Sequence, residues 1–191
     1  MVALRKPERM TVAEFREWVP IDGRRWQLID GEPVAMAPAS ENHGAIQAEA
    51  TTLLSVHLRA GKSPCRVLIA PGVTPRVRAT ANERVPDLAI TCAPPSGGRT
   101  VQEPVVMVEI LSPSNEHLTR ANVWAYTSIP SVAEILLLSS TSIEGELWRR
   151  GADGAWPSQP QMLAAADPVR LESIGFAETL ASFYRTTSLA A

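Results

Sequence analysis

Seven consecutive residues, Val105-Val106-Met107-Val108-Glu109-Ile110-Leu111, are apolar with the single exception of Glu109. A run this short and this rich in valine reads as a strand buried on both faces. Such a strand belongs in the middle of a sheet, so the rest of the chain must cover it from both sides. The composition permits that. Of 191 residues, 45% are hydrophobic and 20% charged, ordinary proportions for a globular chain and incompatible with wholesale disorder. The length sets the expectation of one domain, residues 1–191. No apolar run reaches the roughly 18 residues of a membrane-spanning helix.

The flanking segments carry clear local signals. Thr11-Val12-Ala13-Glu14 reads as a capping box opening a short helix to about Val19. Arg25 to Ile29 alternates polar and apolar residues. Asp30-Gly31 then signals a type I′ hairpin that returns over Glu32 to Met36. Ser40 can cap a helix over Glu41–Ala60, in which Ile46, Ala50, Leu53, Leu54 and Leu58 recur at helical spacing and Gly61 stops the chain. Strands are expected over Cys65–Ala70, Gly72–Arg78 and Leu88–Cys92. After the apolar run, Ser112 to Asn115 form a turn and cap, with a helix over Glu116–Thr127. Strands over Glu134–Ser139 and Ile143–Arg150 follow, then a connector over Pro157–Pro168, a strand near Val169–Leu171 and a helix near Ala177–Tyr184. The pattern is α+β: a mixed β-sheet flanked by helices, with an N-terminal β-hairpin.

The formal net charge is −2, so attraction to nucleic acid would need a local basic face. Only Lys6 and Lys62 are lysines; the other sixteen of the 18 cations are arginines. Cys65 and Cys92 read as small core residues on strands rather than a disulfide or a metal pair. Met1 to Pro7 contains no apolar signal core, which gives a cytoplasmic expectation. No P-loop, G-x-G-x-x-G or G-x-S-x-G motif is present, so no nucleotide cofactor and no serine hydrolase chemistry are expected.

The chemistry lies in the carboxylates that break the strands. An acid inside a buried strand costs several kcal/mol unless it is paired, protonated or bound to a metal. Glu109 is such an acid, and Asp87 opens a strand directly after Pro86. They sit 22 residues apart, a spacing that allows a strand, a loop and an adjacent strand and would set the two carboxylates side by side. Paired carboxylates make a hard-oxygen site suited to Mg²⁺ or Mn²⁺. The alternative is a structural ion pair between Glu109 and an arginine.

Pro86-Asp87 followed by Glu109-Ile110-Leu111-Ser112-Pro113-Ser114 resembles the Uma2 (DUF820) family of endonucleases, within the PD-(D/E)XK, restriction-endonuclease-like superfamily. Arg25 to Glu32 is similar to that family's hairpin. Met36-Ala37-Pro38 with His43 resembles the entry to its long helix, and Tyr126 to Glu134 its helix-to-strand corner. The resemblance runs in order from Val12 to Leu147. It implies a metal-dependent phosphodiesterase site with Asp87 and Glu109 as the acidic pair and metal ligands. The usual motif lysine is Leu111 here. The family's relocated lysine falls on Asn122, four residues before Tyr126, and Gln27 stands where the family often has glutamate.

The first change removes a cation and the second an anionic ligand; with fewer anionic ligands, weaker metal binding is expected. Arg120, near Asn122, could supply charge but no base. His43 is a candidate for substrate contact. Arg76 and Arg78 on one strand face, with Arg84 beside the Pro-Asp pair, are candidates to grip phosphates. Three readings stay open. The first is a Mg²⁺- or Mn²⁺-dependent endonuclease acting on nucleic acid, DNA before RNA. The second is a degenerate relative that binds nucleic acid or a protein without cleaving. The third is a homodimeric structural or regulatory protein, with Val34 at a free strand edge or Phe176, Leu180 and Phe183 as its interface.

Overall fold

A computed structural model describes residues 9–20, 23–113 and 115–190. The chain opens with helix α1 (Val12–Glu17), capped by Thr11 and Glu14 in reciprocal hydrogen bonds. A hairpin of β1 (Trp26–Ile29) and β2 (Glu32–Ala35) follows. Its turn places Asp30 at φ +50° and Gly31 at φ +84°, the two positive values that a type I′ turn requires. Helix α2 (Glu41–Ala60) begins at Ser40, whose side chain accepts from the His43 backbone N–H, and ends at Gly61.

Six strands form one sheet in the order β3 (Arg66–Ile69), β4 (Leu88–Thr91), β5 (Pro104–Leu111), β6 (Glu134–Ser139), β7 (Glu144–Arg149) and β8 (Gln161–Ala164). Only β5 and β6 run parallel. A parallel neighbour demands a crossover, and helix α3 (Glu116–Tyr126) provides it. The sheet is therefore mixed, with α2 on one face and α3 on the other. Alternation along β5 sorts the two cores. Val106, Val108 and Ile110 pack with Ile46, Ala50, Leu54 and Leu58 of α2. Met107 packs with Val123, Tyr126, Ile135 and Leu137 on the α3 side. Glu109 shares the parity of Met107, so it stands under α3.

Several expectations need correction. The strand over Gly72–Arg78 does not form. Gly72 and Val73 make only isolated bridges, to Thr100 and Arg84. Past Pro75, which has no N–H to donate, the amides of Arg76 and Val77 donate to the Ser128 hydroxyl. Part of the Pro157–Pro168 connector is the edge strand β8. In place of a C-terminal helix, β9 (Pro168–Leu171) turns at Gly175, φ +65°, into β10 (Phe176–Thr179). A 3-10 segment, Leu180–Tyr184, follows. That hairpin pairs Phe176 with Leu171 and buries Phe176, Leu180 and Phe183 in the α2-side core, so they offer no interface.

Cys65 and Cys92 are joined as a disulfide. The antiparallel register that pairs Arg66 with Thr91 sets them opposite each other, a juxtaposition that sequence spacing alone does not reveal. No helix among the described residues is long and apolar enough to cross a membrane.

Candidate active site

The register of β4 and β5 pairs Leu88 with Val108. One step further, Asp87 comes opposite Glu109 at the end of the sheet, and both line a cavity of about 680 Å³. The cavity is closed by the hairpin, by the start of α2 and by α3, which contribute Gln27, His43 and Asn122 among others.

Each carboxylate is held by hydrogen bonds. His43 Nε2 donates to Asp87 Oδ1 at 2.9 Å, and the Ile110 backbone N–H donates to Oδ2 at 2.7 Å. Gln47, one turn after His43 on α2, donates to the Asp87 carbonyl at 3.0 Å. Glu109 is 5% exposed. Its Oε1 accepts from the Tyr126 hydroxyl at 2.6 Å and from Asn122 Nδ2 at 3.3 Å. Burial pushes the Glu109 carboxyl up to about 8, and the charge of Asp87 adds to the rise; the hydrogen bonds from Tyr126 and Asn122 oppose it. Burial likewise raises the Tyr126 hydroxyl well above its ordinary range, with the neighbouring Glu109 adding to it.

Gln27 and Asn122 complete the floor. Asn122 Nδ2 also donates to Gln27 Oε1 at 3.3 Å, and Asn122 Oδ1 accepts from Arg84 at 3.1 Å. Both amide hydrogens of Asn122 therefore have protein acceptors. Tyr126 is absent from the sequence-derived set, although a sign of it was present in the helical spacing, since it follows Asn122 by four residues.

The arginine candidates lie elsewhere. Arg84 is 5% exposed and sits behind Asn122 rather than on the cavity wall. Arg120 grips Glu146 with both terminal nitrogens, at 2.8 and 3.1 Å, and Glu116 at 2.9 Å, beside a separate cavity of about 230 Å³. Arg78 pairs with Asp30 at 2.9 Å, and Arg76 lines a third cavity of about 340 Å³. Without a strand beneath them, Arg76 and Arg78 form no common strip. The cations on the wall of the Asp87–Glu109 cavity are instead Arg24 and Arg25, just ahead of β1. Of the two lysines, Lys62 follows the cap of α2 and is exposed, and Lys6 lies outside the described residues.

The donor set suits a hard cation. Asp87, Glu109 and Gln27 present oxygens, the donor type that Mg²⁺ and Mn²⁺ favour. The mutual repulsion of the two carboxylates is what a divalent cation would relieve. Among the described residues, no three His, Cys, Asp or Glu side chains converge as a metal site. Two carboxylates, amide oxygens and water would have to share the coordination.

Comparison with known proteins agrees with this architecture. The model of the Uma2 family, described as "Putative restriction endonuclease", matches residues 12–181. Uncharacterized protein slr1290 of Synechocystis sp. is 30% identical over 185 residues, covering 93% of this chain and 92% of that protein. The crystal structure of an Anabaena variabilis protein described as "a putative nuclease belonging to DUF820" superposes with a TM-score of 0.72 at 16% identity. That match covers 92% of this chain and 97% of the other, and it establishes a shared fold. With the family model spanning most of its length and a relative aligned almost end to end, the chain belongs to the Uma2 family.

Proposed function

We propose that this protein is a Mg²⁺- or Mn²⁺-dependent endonuclease that hydrolyses phosphodiester bonds in nucleic acid, DNA before RNA. One observation carries the reading: Asp87 and Glu109 meet across adjacent strands on the wall of a cavity large enough to admit part of a nucleic-acid backbone. Membership of a family described as endonucleases supports it.

In this reading Asp87 and Glu109 hold the cation, with the Gln27 oxygen nearby. A divalent ion there supplies a Lewis acid that acidifies water and offsets charge on the phosphate. The chain's own residues set the geometry. His43 and the Ile110 N–H fix the plane of the Asp87 carboxylate, and Tyr126 and Asn122 fix Glu109. Arg24 and Arg25, which line the cavity, are the cations this reading assigns to phosphate contact.

The test is cleavage of supercoiled plasmid and of a labelled single strand in Mg²⁺ and in Mn²⁺. Glu109→Ala and Asp87→Ala are purified in parallel. The wild type is expected to cut and both variants to be silent; equal cutting by all three would sink the proposal.

The Gln27–Asn122 amide pair favours a second reading, since neither member carries charge. On that reading the protein binds nucleic acid without cutting it. Salt-sensitive binding with no cleavage in Mn²⁺ would establish this instead.

A further inference from the structure

Arg84 is a buried cation whose directly bonded partners are neutral amides. Its Nη1 donates to Asn122 Oδ1 at 3.1 Å and its Nη2 to Asn82 Oδ1 at 3.0 Å. Its Nε has no hydrogen-bond partner among the described residues. A guanidinium enclosed in this way costs stability, and folding alone gives no reason to keep it.

The backbone holds Arg84 firmly in place. Arg84 and Val73 exchange reciprocal N–H···O bonds of 2.8 Å, and the preceding Glu83 does the same with Leu28 of β1 at 2.7 and 3.1 Å. The segment is thus clamped between the hairpin and the Val73 bridge, three residues before Asp87. Burial weakens the hold of Arg84 on its proton, while the neighbouring acidic groups Tyr126, Asp30 and Glu109, in their ionised forms, would strengthen it. An arginine keeps its proton in such a place.

The consequence falls on Asn122. An amide side chain can be turned either way. With Nη1 of Arg84 at one end, only the carbonyl oxygen can face it, so the NH₂ group must face Glu109 and Gln27. A permanent positive charge therefore sits one residue behind the acidic pair and acts on it through a fixed dipole. We propose that Arg84 is a positioning residue of the active site: it locks the Asn122 amide onto Glu109 and supplies the site's fixed positive charge from behind. This rests on the endonuclease reading above and assigns Arg84 a part in it other than touching substrate.

The same geometry makes a charge transplant possible. A lysine at position 122 would bring an ammonium to Glu109 from where Nδ2 now donates, but it would press against the Arg84 guanidinium. Removing that guanidinium at the same time should make room for it.

The experiment uses the full chain as wild type, Glu109→Ala, Arg84→Lys, Arg84→Gln, Asn122→Lys and the double variant Arg84→Gln/Asn122→Lys. Each is melted, and kcat and KM are measured on a labelled oligonucleotide in Mn²⁺. Arg84→Gln should lose about 10- to 100-fold in kcat with KM little changed, as losses of supporting partners around metal sites do. Arg84→Lys should keep part of that rate. Asn122→Lys alone should melt below the wild type. The double variant should melt above Asn122→Lys and cut faster than Arg84→Gln; the readout that a purely structural arginine would not move is the loss of kcat at unchanged KM in folded Arg84→Gln.

The proposal is overturned if folded Arg84→Gln cuts like the wild type. It also falls if the double variant is no faster than Arg84→Gln, or fails to fold. Failure of the endonuclease reading looks different: the wild type then cuts no better than Glu109→Ala, and the role of Arg84 falls with it.

Discussion

Glu109, proposed above as a metal ligand, also carries a stability cost. Folded, its carboxyl is raised to about 8 from an ordinary 4.5, first by burial and then by Asp87. Between those values the native state holds a proton that the unfolded chain has released. Its contribution to stability is thus complete below about pH 4.5 and is lost as pH rises through 8. In the absence of divalent metal, the melting temperature of the wild type should fall from pH 5 to pH 8 relative to that of Glu109→Gln, whose amide does not titrate. Parallel curves for the two proteins would contradict the raised pKa. Asp87 and Glu109 stood out in the sequence because a charge inside a strand pattern is costly unless it is paired, protonated or bound to a metal. Tyr126 was not legible as a site residue, because a tyrosine on an amphipathic helix reads as core. Arg84 was legible in a different role: an arginine beside Pro-Asp reads as a phosphate contact, and the clamp through Val73 and Leu28 buries it instead.

At the level of elements, local signals placed most boundaries. The Thr11 capping box, the Asp30-Gly31 turn and the Ser40-to-Gly61 span of α2 all rest on interactions within about four residues of chain, which a sequence displays directly. The failures share a different origin. Gly72–Arg78 has strand-like alternation but finds only single bridges as neighbours, and a strand without a ladder is not one. The C-terminal segment, expected as a helix near Ala177–Tyr184, turns at Gly175 and pairs with β9 as a hairpin instead. The Cys65–Cys92 bond joins β3 to β4 and encloses the segment that carries Arg84 and Asp87. Thiol titration of the denatured protein should find no free thiol before reduction and two after it. Cys92→Ser should lower stability by about 3–4 kcal/mol under oxidising conditions and leave it unchanged in excess reductant. Two free thiols in air-exposed native protein would overturn that pairing.

At the scale of the whole molecule, the sheet and its C-terminal hairpin meet at Glu134. This side chain is 1% exposed. It accepts from Arg149 Nε at 2.9 Å, from the backbone N–H groups of Glu172 and Ser173 at 2.9 and 3.0 Å, and from the Ser173 hydroxyl at 2.6 Å. Glu134→Ala strands those donors, and breaking a buried pair from one side costs about 3–5 kcal/mol. A drop of about 6–20 °C in melting temperature is expected for a chain of this size; a shift under 2 °C would show that the hairpin is anchored by its apolar residues alone. The sequence by itself determined the three α-helices and most strands, the mixed sheet around Val105–Leu111 and the acidic pair proposed to hold the cation, because periodicity, caps and charge within an apolar run are written locally. Only the tertiary structure decided which side chains share the cavity. It turned Asn122 toward Glu109, buried Arg84 behind it, turned Arg120 to Glu146 and brought Cys65 opposite Cys92. Those outcomes depend on strand register and on packing between elements dozens of residues apart, and neither is encoded in any single stretch of the chain.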